Sequence, residues 1–187
     1  MNKTLRTIVI VIAIILIITM PVIGGYNKMV SLEQKVKVAE GNIDAQLQRR
    51  SDLIPNLVET VKGYASQEKD IFIKIAEARA KLGGAQTVTD KAKADSELGS
   101  ALSRLLVVVE RYPDLKSSAN FRDLTVALEG TENRIAVSRR DYNNAVMDYN
   151  TALRVFPTNI IAGMFGFEKK SFFEAQEGAD IAPKVKF

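Results

Sequence analysis

Histidine, cysteine and tryptophan are missing from all 187 residues of this chain. Without cysteine there is no disulfide, no thiolate metal site and no thiol nucleophile. Without histidine there is no imidazole base, and the Glu-x-x-His signature of helical-bundle metal sites cannot be written. A carboxylate pair or a carboxylate-only metal site is the chemistry that remains. Paired carboxylates need two acids facing each other in an apolar pocket, and Glu59 and Glu132 could do so only by accident of packing. No catalytic residue, metal ligand or cofactor is expected. An excess of one charge is lacking too. The net charge is +4, but removing Lys3 and Arg6 leaves 24 basic against 22 acidic residues in 26–187. No Lys/Arg block is dense enough for nucleic acid.

What the chain does have is one long apolar run. Ile8 to Ile23 is sixteen residues without a charge, and only Thr19 is polar. From Leu5 to Tyr26 a helix would extend roughly 33 Å at ~1.5 Å per residue, about the ~30 Å of a bilayer's hydrocarbon core. A lone segment in lipid must satisfy its own backbone, so it is a helix. Ile8, Ile12, Ile15, Ile18 and Val22 are read as its lipid-facing body. Tyr26 and Lys28 suit the headgroup level. A cleaved leader is the competing reading, with Lys3 and Arg6 as a basic n-region and Val22-Ile23-Gly24 as a small-residue cleavage site. The run outlasts a usual h-region of ~7–15 residues and continues as helix without a polar spacer, which favours the anchor. Charge does not set the orientation, since Lys3 and Arg6 on one side face Lys28, Lys35 and Lys37 on the other.

Beyond the anchor, seven-residue spacing dominates. Val36, Ile43, Leu57, Tyr64, Ile71 and Ala78 share one row, with Arg50 as its polar exception. Leu47, Ile54, Val61, Ile75 and Leu82 share another, with Glu40 and Glu68 as exceptions. Such alternation is an apolar stripe on helices packed at shallow angles. Pro55 interrupts it. A proline removes a hydrogen bond and crowds the carbonyl four residues back, here Ser51, at a cost of ~3 kcal/mol or more. Ser51 and Asp52 are good N-caps, so the expectation is a break near Arg50. Gly83-Gly84 closes the next segment, and Thr89 or Asp90 is the predicted cap of the following one. Leu98, Leu102, Leu105 and Val109 form its apolar face, and Tyr112-Pro113 stops it. Asn120 is the predicted cap of a last helix carrying Phe121, Leu128, Ile135, Tyr142, Tyr149 and Phe156 at intervals of seven and ending at Pro157. The remaining tail is rich in Phe165, Phe167, Phe172, Phe173 and Phe187, which must bury on the bundle, a neighbouring chain or the membrane interface.

The fold class read from these patterns is all-α: a single N-terminal transmembrane helix over 1–26, an antiparallel four-helix bundle over 27–156, and an aromatic C-terminal tail over 157–187. A turn at Pro55 gives four helices and returns Phe156 to the Tyr26 end. A mere kink leaves three and points the tail away. Polar residues within the stripes, namely Asp44, Arg49, Arg50, Asp52, Asn56, Glu110, Arg111, Glu132, Asn133, Arg139 and Asn143, are read as an inter-helix network fixing register.

The stretch from Asn42 to Ala65, with Arg49-Arg50-Ser51-Asp52-Leu53-Ile54-Pro55-Asn56-Leu57 at its centre, resembles the signature of the LemA family. Tyr26-Asn27, Arg111-Tyr112-Pro113-Asp114-Leu115-Lys116, Glu132-Asn133-Arg134-Ile135-Ala136, Arg139, Tyr142-Asn143, Phe156-Pro157-Thr158-Asn159, Phe165-Gly166-Phe167 and Phe172-Phe173 extend the resemblance over nearly the whole chain. Gly41-Asn42 departs from the aromatic-Ser pair often found in the family. The resemblance implies a short membrane segment, a helical bundle, no established catalytic activity, and membrane protease-associated proteins as partners. It also implies a bacterial cytoplasmic (inner) membrane location, single-pass, with the N-terminus outside and the bundle in the cytoplasm.

Two functions fit. One is a membrane-anchored scaffold or interaction protein with no catalysis of its own, touching lipid and forming homo-oligomers through its long heptads. The other is a ligand-sensing bundle or cofactor-binding enzyme at the membrane, and ligand-dependent shifts in melting temperature would separate the two.

Overall fold

A computed structural model describes residues 3–174, with the side chains of Lys3, Ile14 and Ile18 outside the description. Ile18, read above as an anchor residue, and Phe187, read as a tail contact, therefore lie outside what is described. The described residues are helical, without strands: α1 Lys3–Lys62, α2 Lys69–Gly84, α3 Val88–Val109, α4 Pro113–Ser117, α5 Ala119–Ala152 and α6 Thr158–Phe165. They divide into two compact units. Unit 1 is Met1–Val38 with Asn144–Lys170, and unit 2 is Ala39–Asn143 with Ser171–Phe187.

Unit 1 contains the apolar start of α1. Ile8, Ile12 and Ile15 are exposed there, Val22 is half-buried, and Tyr26 is exposed. Among the described residues, none in the window of highest hydropathy is buried. Later in this unit Met29 and Val36 are buried, as are Val146, Tyr149 and Ala152 of α5. After α5 the chain passes Pro157 and forms α6, which ends at Gly166 with φ of 72°. That left-handed position suits glycine, and it lets the Phe167 N–H reach the Ala162 carbonyl at 3.0 Å. The tail does not point away from the anchor end, because the Tyr26 ring stands 4.8 Å from Phe165 and 5.8 Å from Phe167.

Unit 2 holds the larger core. Ile43, Leu47, Ile54, Leu57 and Val61 of α1 are buried, with Phe72, Ile75, Ala78 and Leu82 of α2. Leu98, Leu102, Leu105 and Val109 of α3 and Phe121, Leu128, Ile135 and Tyr142 of α5 complete it. Each full burial of such a side chain is worth about 1.5–3 kcal/mol. Three residues join α2 to α3, and a connection that short makes the two antiparallel neighbours.

The break expected at Pro55 does not occur. α1 continues through it to Lys62. The carbonyl that proline leaves without an intrahelical donor belongs to Ser51, and the Arg79 Nε–H of α2 donates to it at 3.1 Å. The same N–H reaches Ser51 Oγ at 3.1 Å, and Asp52 accepts from Gln48 Nε2 at 2.8 Å, so neither residue is acting as a cap. The chain turns instead at 63–68, where the Gly63 and Ala65 N–H groups still reach back to Glu59 and Val61 carbonyls. Helix starts also differ from expectation. Thr87, not Thr89 or Asp90, caps α3 by accepting from the Asp90 N–H and donating to its carboxylate. Ser118, not Asn120, caps α5 through the Phe121 N–H at 3.2 Å. α5 stops at Ala152, ahead of Phe156, whose side chain is exposed.

Candidate functional site

The most unusual side chains in unit 2 are two buried charges. Arg50 occupies the apolar row of Ile43 and Leu57 and is 5% exposed, and Asp95 of α3 is 4% exposed. Arg50 Nη1 donates to Asp95 Oδ1 at 2.6 Å and stands 3.0 Å from Glu132 Oε2 of α5. The Glu132 side chain is 51% exposed, so the cluster reaches solvent on that side. Arg50 Nε is buried without a partner. Burial pushes the Asp95 carboxyl above its usual range. Arg50 opposes that push, Glu132 adds to it, and Arg139 opposes it more weakly than Glu132 adds. Burial wins, which marks the pair as an expensive way to join two helices. One guanidinium nitrogen, Nη1, reaches both acids, and through it the cluster ties α1 to α3 and α5.

A second set joins α1 to α3 by Lys91, whose Nζ stands 2.7 Å from Asp44 and 3.2 Å from Glu40. Partial burial lowers the Lys91 pKa, but the bonds to Asp44 and Glu40 outweigh it and the net direction is up. Arg134 Nε donates to Gln46 at 3.3 Å between α5 and α1. Arg111 pairs with Glu68 at 2.7 Å. Asn56 is exposed and offers its carbonyl to Thr60 Oγ1 at 2.8 Å. These contacts stand in separate clusters.

The tail is held by α5 side chains. In unit 2, Asn143 both accepts from the Phe173 N–H at 2.8 Å and donates to its carbonyl at 3.1 Å. Arg139 lies over the buried Phe173 ring at 4.9 Å, and Tyr142 donates to the Ser171 carbonyl at 2.9 Å. Burial, helped by the Glu40 charge, pushes the Tyr142 phenol up to about 12. Phe172 remains partly exposed. In unit 1 the same device recurs. Asn150 accepts from the Lys170 N–H at 3.0 Å and donates to its carbonyl at 2.9 Å. Lys170 Nζ meets Glu33 at 2.9 Å and lies over the Tyr149 ring.

Asp95, Lys91 and Asn150 were not singled out by sequence. Asp95 stands seven residues before Leu102 and so on an apolar row, and Asn150 belongs to a repeated Asp-Tyr-Asn, 141–143 and 148–150. Both signals were there to be read. Unit 2 also has a cleft of about 270 Å³ lined by Lys74, Glu77, Lys81, Glu97 and Arg104, and a smaller one of about 150 Å³ lined by Asp44, Gln48, Ser51 and Lys91. Among the described residues no three acidic side chains converge as a metal site would require.

Residues 39–187 match the model of the LemA family. The chain is 27% identical over 192 residues to the magnetosome proteins MamQ 1 and MamQ 2 of Paramagnetospirillum magneticum, covering 86% of this chain and 70% of each. It is 25% identical over 156 residues to Protein LemA of Metamycoplasma hominis, covering 83% of this chain and 71% of that one. None of these names denotes a catalytic activity.

Proposed function

The chain belongs to the LemA family, and from that premise we propose that it is a single-pass, membrane-anchored helical scaffold without catalysis of its own. One observation carries this reading. α1 passes without interruption from a stretch where Leu5, Ile8, Ile12, Ile15, Met20 and Ile23 are exposed to one where Ile43, Leu47, Ile54, Leu57 and Val61 are buried. The first set has the length and hydropathy a bilayer requires. The second has the spacing a helical core requires. The arrangement we propose for the later part of α1 with α2, α3 and α5 is a four-helix bundle. Its register is fixed by Arg50 with Asp95 and Glu132, by Lys91 with Asp44, and by Arg79 on the Ser51 carbonyl. Every one of these polar contacts joins helices, which supports a structural rather than a catalytic use of the charges.

The scaffold self-associates in a bacterial cytoplasmic membrane and presents its helices to other proteins there, membrane protease-associated proteins among them. Cross-linking of intact membranes is expected to give multiples of the 20.6 kDa chain. A ladder that never passes the monomer would contradict self-association. Affinity capture combined with protease accessibility then identifies the partner and the face from which it is reached.

A further inference from the structure

From Val155 to Phe167 the chain carries no charged residue, and from Thr7 to Asn27 it carries none either. In unit 1 these two runs touch. Ile161 of α6 packs so closely on Gly25 of α1 that a Cβ there would fall 2.2 Å from its Cδ1. Phe165 and Phe167 close on the Tyr26 ring. Ile161 and Ala162 form the buried side of α6. The other side is bare: Phe156 is 75% exposed and Met164 68%, with Ile160 between them also exposed, and Phe165, beside the Tyr26 ring, keeps half its surface open. Phe156, Ile160 and Met164 follow one another at intervals of four, which places the last two on one face of α6. Four large apolar side chains in one short stretch are more than a water-facing surface commonly leaves open. Arg154 precedes the run and Glu168-Lys169-Lys170 follow it, a net excess of basic charge at its borders, and Lys28 follows the other.

We propose that α6 is a second membrane contact, lying in the bilayer interface with Phe156, Ile160, Met164 and Phe165 inserted among the acyl chains and headgroups. Eight residues of helix extend about 12 Å, short of the ~30 Å core, so α6 lies along the surface rather than crossing it. Its occupant is lipid rather than protein because the face is continuous with the charge-free run of α1 and meets it at Gly25 and Tyr26, where that run ends. Basic residues at the borders suit anionic headgroups. The inference rests on the anchor reading, and its test separates the two.

The chain has no tryptophan, so one introduced residue reports alone. Ile12→Trp, Met164→Trp and Val126→Trp are made singly in the full chain. Each is reconstituted in phosphatidylcholine and phosphatidylglycerol vesicles brominated at shallow or at deep acyl positions. The expected result is quenching of Ile12→Trp by deep bromine, loss of most Met164→Trp emission to shallow bromine, and no quenching of Val126→Trp, which reports from an exposed site in unit 2. Quenching of Ile12→Trp without quenching of Met164→Trp overturns the α6 contact and leaves the anchor standing. Blue-shifted but unquenched Met164→Trp emission assigns the face to protein and also overturns it. If Ile12→Trp is unquenched, the anchor reading falls and the α6 proposal with it.

Discussion

The guanidinium of Arg50 and the carboxylate of Asp95 are the residues whose energetics decide most. Both are nearly sealed from water, and burial has the larger say over Asp95 than its partner does. Breaking a buried pair leaves a naked charge, whereas replacing both members with apolar groups is often close to neutral. Asp95→Ala is therefore expected to cost about 3 kcal/mol, at the low end because Glu132 still stands 3.0 Å from Arg50. The combined Arg50→Met and Asp95→Leu variant is expected within about 1 kcal/mol of the parent. Urea unfolding of each measures this, and a double variant as damaged as the single would contradict it. Tyr142 gives a pH counterpart. Its phenol ionises at about 12 in the folded chain, against about 10 for a free tyrosine. The folded state favours the neutral phenol, so its contribution is complete below pH ~10 and is lost as the pH rises towards ~12. Tyr142→Phe should flatten the stability decline across that window and remove a late step from the phenolate absorbance titration. An unchanged late step would count against the assignment.

At the scale of the helix, Pro55 and Arg79 act as one device. Proline withholds an N–H from the Ser51 carbonyl, and a side chain from α2 replaces it. Arg79→Met should cost about 1 kcal/mol, the usual worth of one hydrogen bond. In a Pro55→Ala background, where the backbone donor is restored, the same substitution should cost close to nothing. A double-mutant cycle in urea reads the difference, and equal costs in both backgrounds would show the two residues to be independent. The pair also explains what a sequence can and cannot tell. The seven-residue rows located the buried faces of α1, α2, α3 and α5 because periodicity is a local property. Tyr64 and Phe156 left their rows only because the helices end before reaching them. No break forms at Pro55, because the compensating donor comes from 28 residues away in the chain, beyond any local pattern. Arg50 and Glu132 could be picked out as polar residues in apolar stripes. Their meeting with Asp95, and the hold of Asn143 and Asn150 on the tail backbone, depend on which helices become neighbours. No local spacing encodes that. α6 was hidden in the same way, since a short glycine-punctuated run has too few turns to show a period.

For the molecule as a whole, the family assignment and the apolar start of α1 bear on one account, in which a helix begins in lipid and continues into a protein core. The scaffold reading, the four-helix arrangement and the interfacial role of α6 all require that the segment from Ile8 to Ile23 stay attached to the chain and in the membrane. Washing native membranes with alkaline carbonate tests that requirement directly, because it strips peripheral proteins and leaves spanning ones. The intact chain is expected in the membrane pellet, and a variant with Ile12→Arg and Ile15→Arg is expected to be released. Recovery of the unaltered chain in the supernatant, or of a shortened chain beginning near Gly25, would contradict the account.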